Sequence, residues 1–107
     1  MLVGTQIQKE ALELWGEDKQ ANMITEECLE LATALLKYQR NPCDQTREAV
    51  IDEIADVFVV IEYGPMIFNA SEIQNRINFK LYRLRDRIKA ESFEDIERKK
   101  IQKDFRL

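Results

Sequence analysis

Apolar side chains recur along the chain every three or four residues, which is the spacing of one face of an α-helix. No stretch alternates between apolar and polar residues as a half-buried strand does. The helical pattern is interrupted at Gly16, at 41–43, at 64–65 and at 69–71. Because the connections are short, we expect an all-α bundle of antiparallel helices, with four main helices and a C-terminal tail helix.

The helix boundaries follow from capping residues and helix breakers. Gly16 is expected to stop the first helix, and Gly64-Pro65 to kink or end the third. The expected N-terminal caps are Thr5, Asp18, Asp44 or Thr46, and Ser71, with Ser92 capping the tail helix. The residues expected to be buried are Ile7, Ala11, Leu14 and Trp15 in the first helix, Ile24, Cys28, Leu31, Ala32, Leu35 and Leu36 in the second, and Ile73, Ile77, Leu81, Leu84 and Ile88 in the fourth.

The length of 107 residues fits one domain, with its core over about 5–90 and a tail segment over 91–107. The chain has 20 acidic and 16 basic residues and a pI near 4.9, so we expect no binding to a nucleic-acid backbone. The longest apolar run, 57–61, is too short to span a bilayer, and the N-terminus lacks the features of a signal peptide. The expected location is the cytoplasm, with no membrane partner.

The cysteine and histidine content restricts the available chemistry. The two cysteines, Cys28 and Cys43, are expected to be free thiols, since nothing indicates a secreted disulfide framework. The chain has no histidine. Serine–histidine and cysteine–histidine nucleophiles are therefore excluded, together with most zinc sites.

The third helix carries an acidic pair inside an apolar run. Glu53 and Asp56 are three residues apart, so their side chains point in nearly the same direction from the helix. An ionised carboxylate moved from water into apolar surroundings without a partner costs several kcal/mol. A shared cation would remove that cost.

A second acidic cluster lies on the preceding helix, where Glu27 and Glu30 repeat the three-residue spacing and Glu26 stands one turn before Glu30. If the two helices pack antiparallel with these faces opposed, the carboxylates of Glu27, Glu30, Glu53 and Asp56 converge. Such a set suits a hard divalent cation, Mg²⁺ or Mn²⁺. The alternatives are a solvated acidic face, a structural cation and a buried salt bridge to a base of the fourth helix.

The order of these acids resembles the signature of the MazG-like, all-α nucleoside triphosphate pyrophosphohydrolases: Glu26-Glu27-x-x-Glu30, then Glu53-x-x-Asp56. The resemblance extends over about 14–88, because a segment of the fourth helix is similar to the phosphate-binding segment of that family. That segment is Asn78-x-Lys80-Leu81-x-Arg83. Leu84 stands where longer family members often have a second arginine.

The resemblance implies hydrolysis of a nucleoside triphosphate to the monophosphate and pyrophosphate. It assigns Mg²⁺ to the four carboxylates already named, makes Glu26 the base for the attacking water, and gives Asn78, Lys80 and Arg83 to substrate binding. It also implies a homo-oligomer, either a dimer or a tetramer.

Two other functions stay open. Phosphoribosyl-ATP pyrophosphohydrolases share the bundle and the acidic pattern. A non-catalytic helical interaction module could also keep such a metal site for stability.

Overall fold

The computed structural model describes residues 5–105, and every regular element in that part of the chain is helical. The all-α prediction is confirmed. The elements are α1 (Thr5–Trp15), α2 (Glu17–Arg40), α3 (Asp44–Ile61), a π-helical segment (Pro65–Asn69) and α4 (Ala70–Phe105).

The chain divides into two compact units, one that ends at Ala70 and one that begins at Ser71. In the first unit, α2 and α3 pack antiparallel and form a hairpin closed by the turn at 41–43. α1 is tied to this α2–α3 hairpin by a hydrogen bond of 2.7 Å, which the Gln8 side-chain amide donates to the Val59 carbonyl oxygen. Buried side chains of Gln20, Ala34, Val60 and Tyr63 mark the packed part of the unit.

Gly16 separates α1 from α2, as the sequence predicts. Its φ of 89° lies in the region that a side chain disfavours, and glycine adopts this conformation at little cost. Gly16 also takes the N-terminal cap position of α2, which begins at Glu17. The prediction that Asp18 is the cap is therefore wrong, and Asp18 lies within the first turn, where an acid favours the helix dipole.

The start of α3 is capped by Cys43 rather than by Asp44 or Thr46. Thr46 is the third helical residue, and its hydroxyl accepts a hydrogen bond of 3.1 Å from the Cys43 backbone N–H. The same hydroxyl lies 3.4 Å from the Cys43 sulfur. Cys43 and Thr46 therefore form a capping box, in which a thiol takes the position that a serine or threonine usually has.

Near Gly64-Pro65 the helical hydrogen-bonding pattern changes. α3 ends at Ile61, and Pro65 then begins the π-helical segment, which suits a residue that has no N–H to donate. The turn expected at 69–71 shortens to Asn69, whose φ is 122°. Ser71 lies inside α4 and Gln74 donates to Asn78 instead, so the predicted capping box between Ser71 and Gln74 is wrong.

The predicted buried faces of α1 and α2 are shifted around their helices. In α1, Ile7, Leu14 and Trp15 are exposed, whereas Gln8 is buried. In α2, the exposed residues are Cys28, Ala32, Leu35 and Leu36, and only Ile24 and Leu31 of the predicted set are half-buried. The fully buried residues of α2 are Gln20 and Ala34, one polar and one small.

α4 runs unbroken through the position expected for a separate tail helix, since the structure shows no interruption at Ser92. Of its predicted apolar stripe, Ile73 is half-buried, and Ile77, Leu81, Leu84 and Ile88 are exposed. The four-helix bundle and the single-domain arrangement stay predictions.

Both cysteines are free and exposed, which confirms the prediction for their thiols. Within residues 5–105, no helix combines the length and the apolar character needed to cross a bilayer.

Candidate metal centre of the α2–α3 hairpin

The acids meet because of the register of the α2–α3 hairpin. The antiparallel pairing brings Ala34 of α2 and Ala49 of α3 to one cavity, and Met23 and Val60 to another. Between these two positions the helices present acids at matching intervals. The three-residue spacing on each helix therefore turns the two acidic clusters towards one another, as the sequence predicts.

Three carboxyl groups form a compact cluster. Glu27, Glu30 and Glu53 each offer one oxygen, and the three oxygens lie within 4.8 Å of one another. Glu27 and Glu53 are half-buried and Glu30 is exposed. One oxygen of Glu27 and one of Glu53 are buried and have no hydrogen-bond partner among the described residues. We call these three residues the acidic triad.

The pKa values of Glu27 and Glu53 are raised by their surroundings. Burial raises the pKa of Glu27 to about 7, with further contributions from Glu30 and Asp56. Burial, then Glu30 and Asp56, also raises the pKa of Glu53. Without a cation, the ionised carboxylates repel one another in surroundings that hydrate them poorly.

These properties fit a divalent cation. Carboxylate oxygens are the ligands that Mg²⁺ and Mn²⁺ prefer. In the part of the chain that the structure describes, no group donates a hydrogen bond to the two buried oxygens. Glu27, Glu30 and Glu53 would hold the ion.

Two other predicted site residues lie beside the acidic triad. Asp56 is exposed and outside the three-oxygen cluster, but its charge acts on both Glu27 and Glu53. Glu26 is exposed on α2, one residue before Glu27 and one turn before Glu30.

The predicted substrate-binding residues form a group of their own on α4. Lys80 and Arg83 border a shallow hollow of about 300 Å³, together with Leu84 and Arg87. The Arg83 guanidinium lies over the Phe79 ring, 5.8 Å from its centre. Asn78 accepts a hydrogen bond of 2.9 Å from Gln74, so its carbonyl oxygen is already engaged.

Two cavities of the hairpin were not predicted from the sequence. The larger, of about 440 Å³, contains Glu30 and Glu53 themselves and extends to Lys37 and Gln45. We call it the Lys37 groove. The recurrence of Lys37 seven residues after Glu30, on the same helix face, is the signal that could have indicated it.

The second cavity, of about 310 Å³, lies at the opposite end of the line of contact and is called the Trp15 cavity. The Lys19 ammonium stands 5.2 Å from the centre of the Trp15 ring. The residues that line the Trp15 cavity are Trp15, Lys19, Gln20, Met23, Val60 and Tyr63.

No protein-family model, no curated protein and no solved structure matches this chain.

Proposed function

We propose that the protein hydrolyses a nucleoside triphosphate between its α and β phosphates, releasing the monophosphate and pyrophosphate, in a reaction that depends on a divalent cation. The observation that carries the proposal is the acidic triad, which has three carboxyl oxygens within 4.8 Å of one another. Two buried oxygens of its members have no hydrogen-bond partner within 5–105. The resemblance of the acidic motifs to MazG-like pyrophosphohydrolases supplies the reaction.

Glu27, Glu30 and Glu53 hold Mg²⁺ or Mn²⁺ in this proposal, and Asp56 adds negative charge beside them. A bound cation would draw charge from the phosphate oxygens and so assist departure of pyrophosphate. Glu27 and Glu53 are half-buried, so each carboxylate gives up part of its hydration. This cost supports a role in binding a cation, since acids on a solvated surface do not bear it.

Glu26 is the proposed base that removes a proton from the attacking water. It is exposed, and it shares a helix face with Glu30, so it can approach a water at the edge of the acidic triad. Lys80 and Arg83 would neutralise the outer phosphates, with Asn78 beside them on α4. These roles assume the all-α bundle of the MazG-like family.

We also propose a homo-oligomer. Large apolar side chains are exposed on every helix, among them Ile7, Phe58, Phe79 and Leu81. A chain of 107 residues can bury only a limited core alone, so association with further copies would cover part of this surface.

A product assay tests the proposed function. The protein is incubated with ribo- and deoxyribonucleoside triphosphates in Mg²⁺ and in EDTA, and pyrophosphate and orthophosphate are measured separately. We expect pyrophosphate together with the monophosphate, only with the cation. Orthophosphate as the product, or no product from any triphosphate, would contradict the proposal.

A further inference from the structure

The Lys37 groove opens directly from the acidic triad, because Glu30 and Glu53 line one of its ends. Ala34 and Ala49 have small side chains that leave room between the helices at its middle. Lys37 and Gln45 line the other end. The groove thus joins a cluster of carboxylates to a positively charged side chain. Thr33 and Thr46 also line the groove, together with Leu29 and the two alanines.

The length of the groove suits a nucleoside. Seven residues separate Glu30 from Lys37, which is about 10 Å along a helix. A ribose and its base, extended from an α phosphate held near the acidic triad, cover a comparable distance. The flat faces of the base would then lie against Ala34, Ala49 and Leu29.

The side chains of Lys37 and Gln45, at the far end of the groove, are the groups that would select the base. An ammonium group only donates hydrogen bonds, and among the described residues no ion pair engages Lys37. The Gln45 amide both donates and accepts, so it can turn to suit either kind of base. Lys37 therefore favours an oxygen acceptor and disfavours an amino group at the edge of the base that points away from the ribose.

From this arrangement we infer that the Lys37 groove binds the nucleoside of the triphosphate and selects bases with an oxo group at that edge. These are uracil, thymine, guanine and hypoxanthine, as opposed to cytosine and adenine. The inference rests on the proposed function for the position of the phosphates. It adds a substrate class, and it assigns Lys37 as the residue that determines specificity.

Two matched pairs of ligands isolate the contact. Uridine differs from cytidine, and inosine from adenosine, at the edge that would face Lys37. Binding of the four α,β-methylene triphosphate analogues in Mg²⁺ is measured by calorimetry. We expect the uridine and inosine analogues to bind about tenfold more tightly than their amino counterparts, the effect of one charge-assisted hydrogen bond.

Three variants complete the test. Lys37→Met keeps the length of the side chain and should remove the preference. Lys19→Met, the matched control on the same helix beside the Trp15 cavity, should leave it unchanged. Ala49→Leu fills the groove at an exposed position and should weaken all four analogues at least tenfold. Circular dichroism checks that each variant is folded.

Equal affinity within both pairs in the wild-type protein, or binding of none of the four, would overturn the inference. So would loss of the preference in Lys19→Met but not in Lys37→Met, which would place the base in the Trp15 cavity. Pyrophosphate release without any base preference would refute base selection by the Lys37 groove, while the proposed function would stand. Selective binding without pyrophosphate release would refute the proposed function and keep the groove.

Discussion

The α2–α3 hairpin and α4 depart from the usual placement of side chains in opposite directions. In the hairpin, carboxyl oxygens of Glu27 and Glu53 are buried. In α4, no side chain over 70–103 is buried, and Leu81 and Leu84 keep about half of their surface exposed. The first arrangement costs hydration of charged groups, and the second gives up the stabilisation from apolar burial.

The two regions also differ in charge. The hairpin over 17–61 contains 10 acidic and 4 basic residues, whereas α4 over 70–105 contains 7 acidic and 10 basic residues. The hairpin is therefore the acidic part of the molecule, and α4 is its more basic part.

The largest expected effect comes from breaking the acidic site. Asp56→Asn and Glu53→Gln should each lower the rate of pyrophosphate release about a hundredfold, because loss of a residue that only supports metal ligands already costs roughly 10–100-fold. Both should raise the Mg²⁺ concentration needed for residual turnover. Folding should be intact or improved, since carboxylate repulsion is reduced.

Glu26→Gln is the matched comparison. It should lower turnover about a hundredfold while leaving Mg²⁺ affinity nearly unchanged, because a general base does not hold the ion. Calorimetric titration of Mg²⁺ into all three variants measures the difference. If Asp56→Asn bound Mg²⁺ as tightly as the wild-type protein, Asp56 would have no part in the metal site. If Glu26→Gln kept its turnover, Glu26 would not be the general base.

The next effect tests whether the proposed homo-oligomer forms through the exposed apolar side chains of α4. Leu84→Lys should weaken self-association at least tenfold, because burial of one leucine contributes about 1.5–3 kcal/mol. Tyr82→Lys places the same charge on another face of the helix and should leave association nearly unchanged. Sedimentation velocity over a range of concentrations measures both, and a monomeric wild-type protein would refute assembly through α4.

The smallest effect is the dependence of stability on pH. The pKa values of Glu27, about 7, and Glu53 are raised in the folded protein. These groups therefore stabilise the folded state below their unfolded pKa, and the contribution is lost as pH rises through about 7. In EDTA, the melting temperature should fall by a few degrees between pH 5 and pH 8.

Mg²⁺ should oppose this fall, since the cation binds the ionised carboxylates and its stabilisation grows as they lose protons. Glu27→Gln should flatten the dependence in EDTA. Equal melting temperatures at both pH values in EDTA would contradict the burial of these carboxyl groups.

Local signals in the sequence predicted the helices well. Gly16 and the break at 41–43 separate the elements as expected, because backbone conformation at a glycine or before a proline depends on nearest neighbours. The meeting of Glu27, Glu30 and Glu53 was also predictable, since equal spacing on two antiparallel helices requires only the correct pairing.

Which face of each helix packs could not be predicted from apolar spacing alone. Gln8 is buried and Ile7 exposed, because the Gln8 amide finds a backbone carbonyl at Val59 that no single-helix pattern contains. In α2, Ala34 is buried while Leu35 and Leu36 are exposed, although apolar spacing alone favours burial of the leucines. The roles of Lys80 and Arg83 stay predictions.

The turn at 41–43 has a consequence for how the molecule folds. Glu30 and Glu53 are only 23 residues apart, and the hairpin that joins them is continuous in the chain. Contacts between such near neighbours require little loop-closure entropy, so helical hairpins form among the fastest tertiary structures. During synthesis the acidic triad can therefore assemble before α4 has left the ribosome.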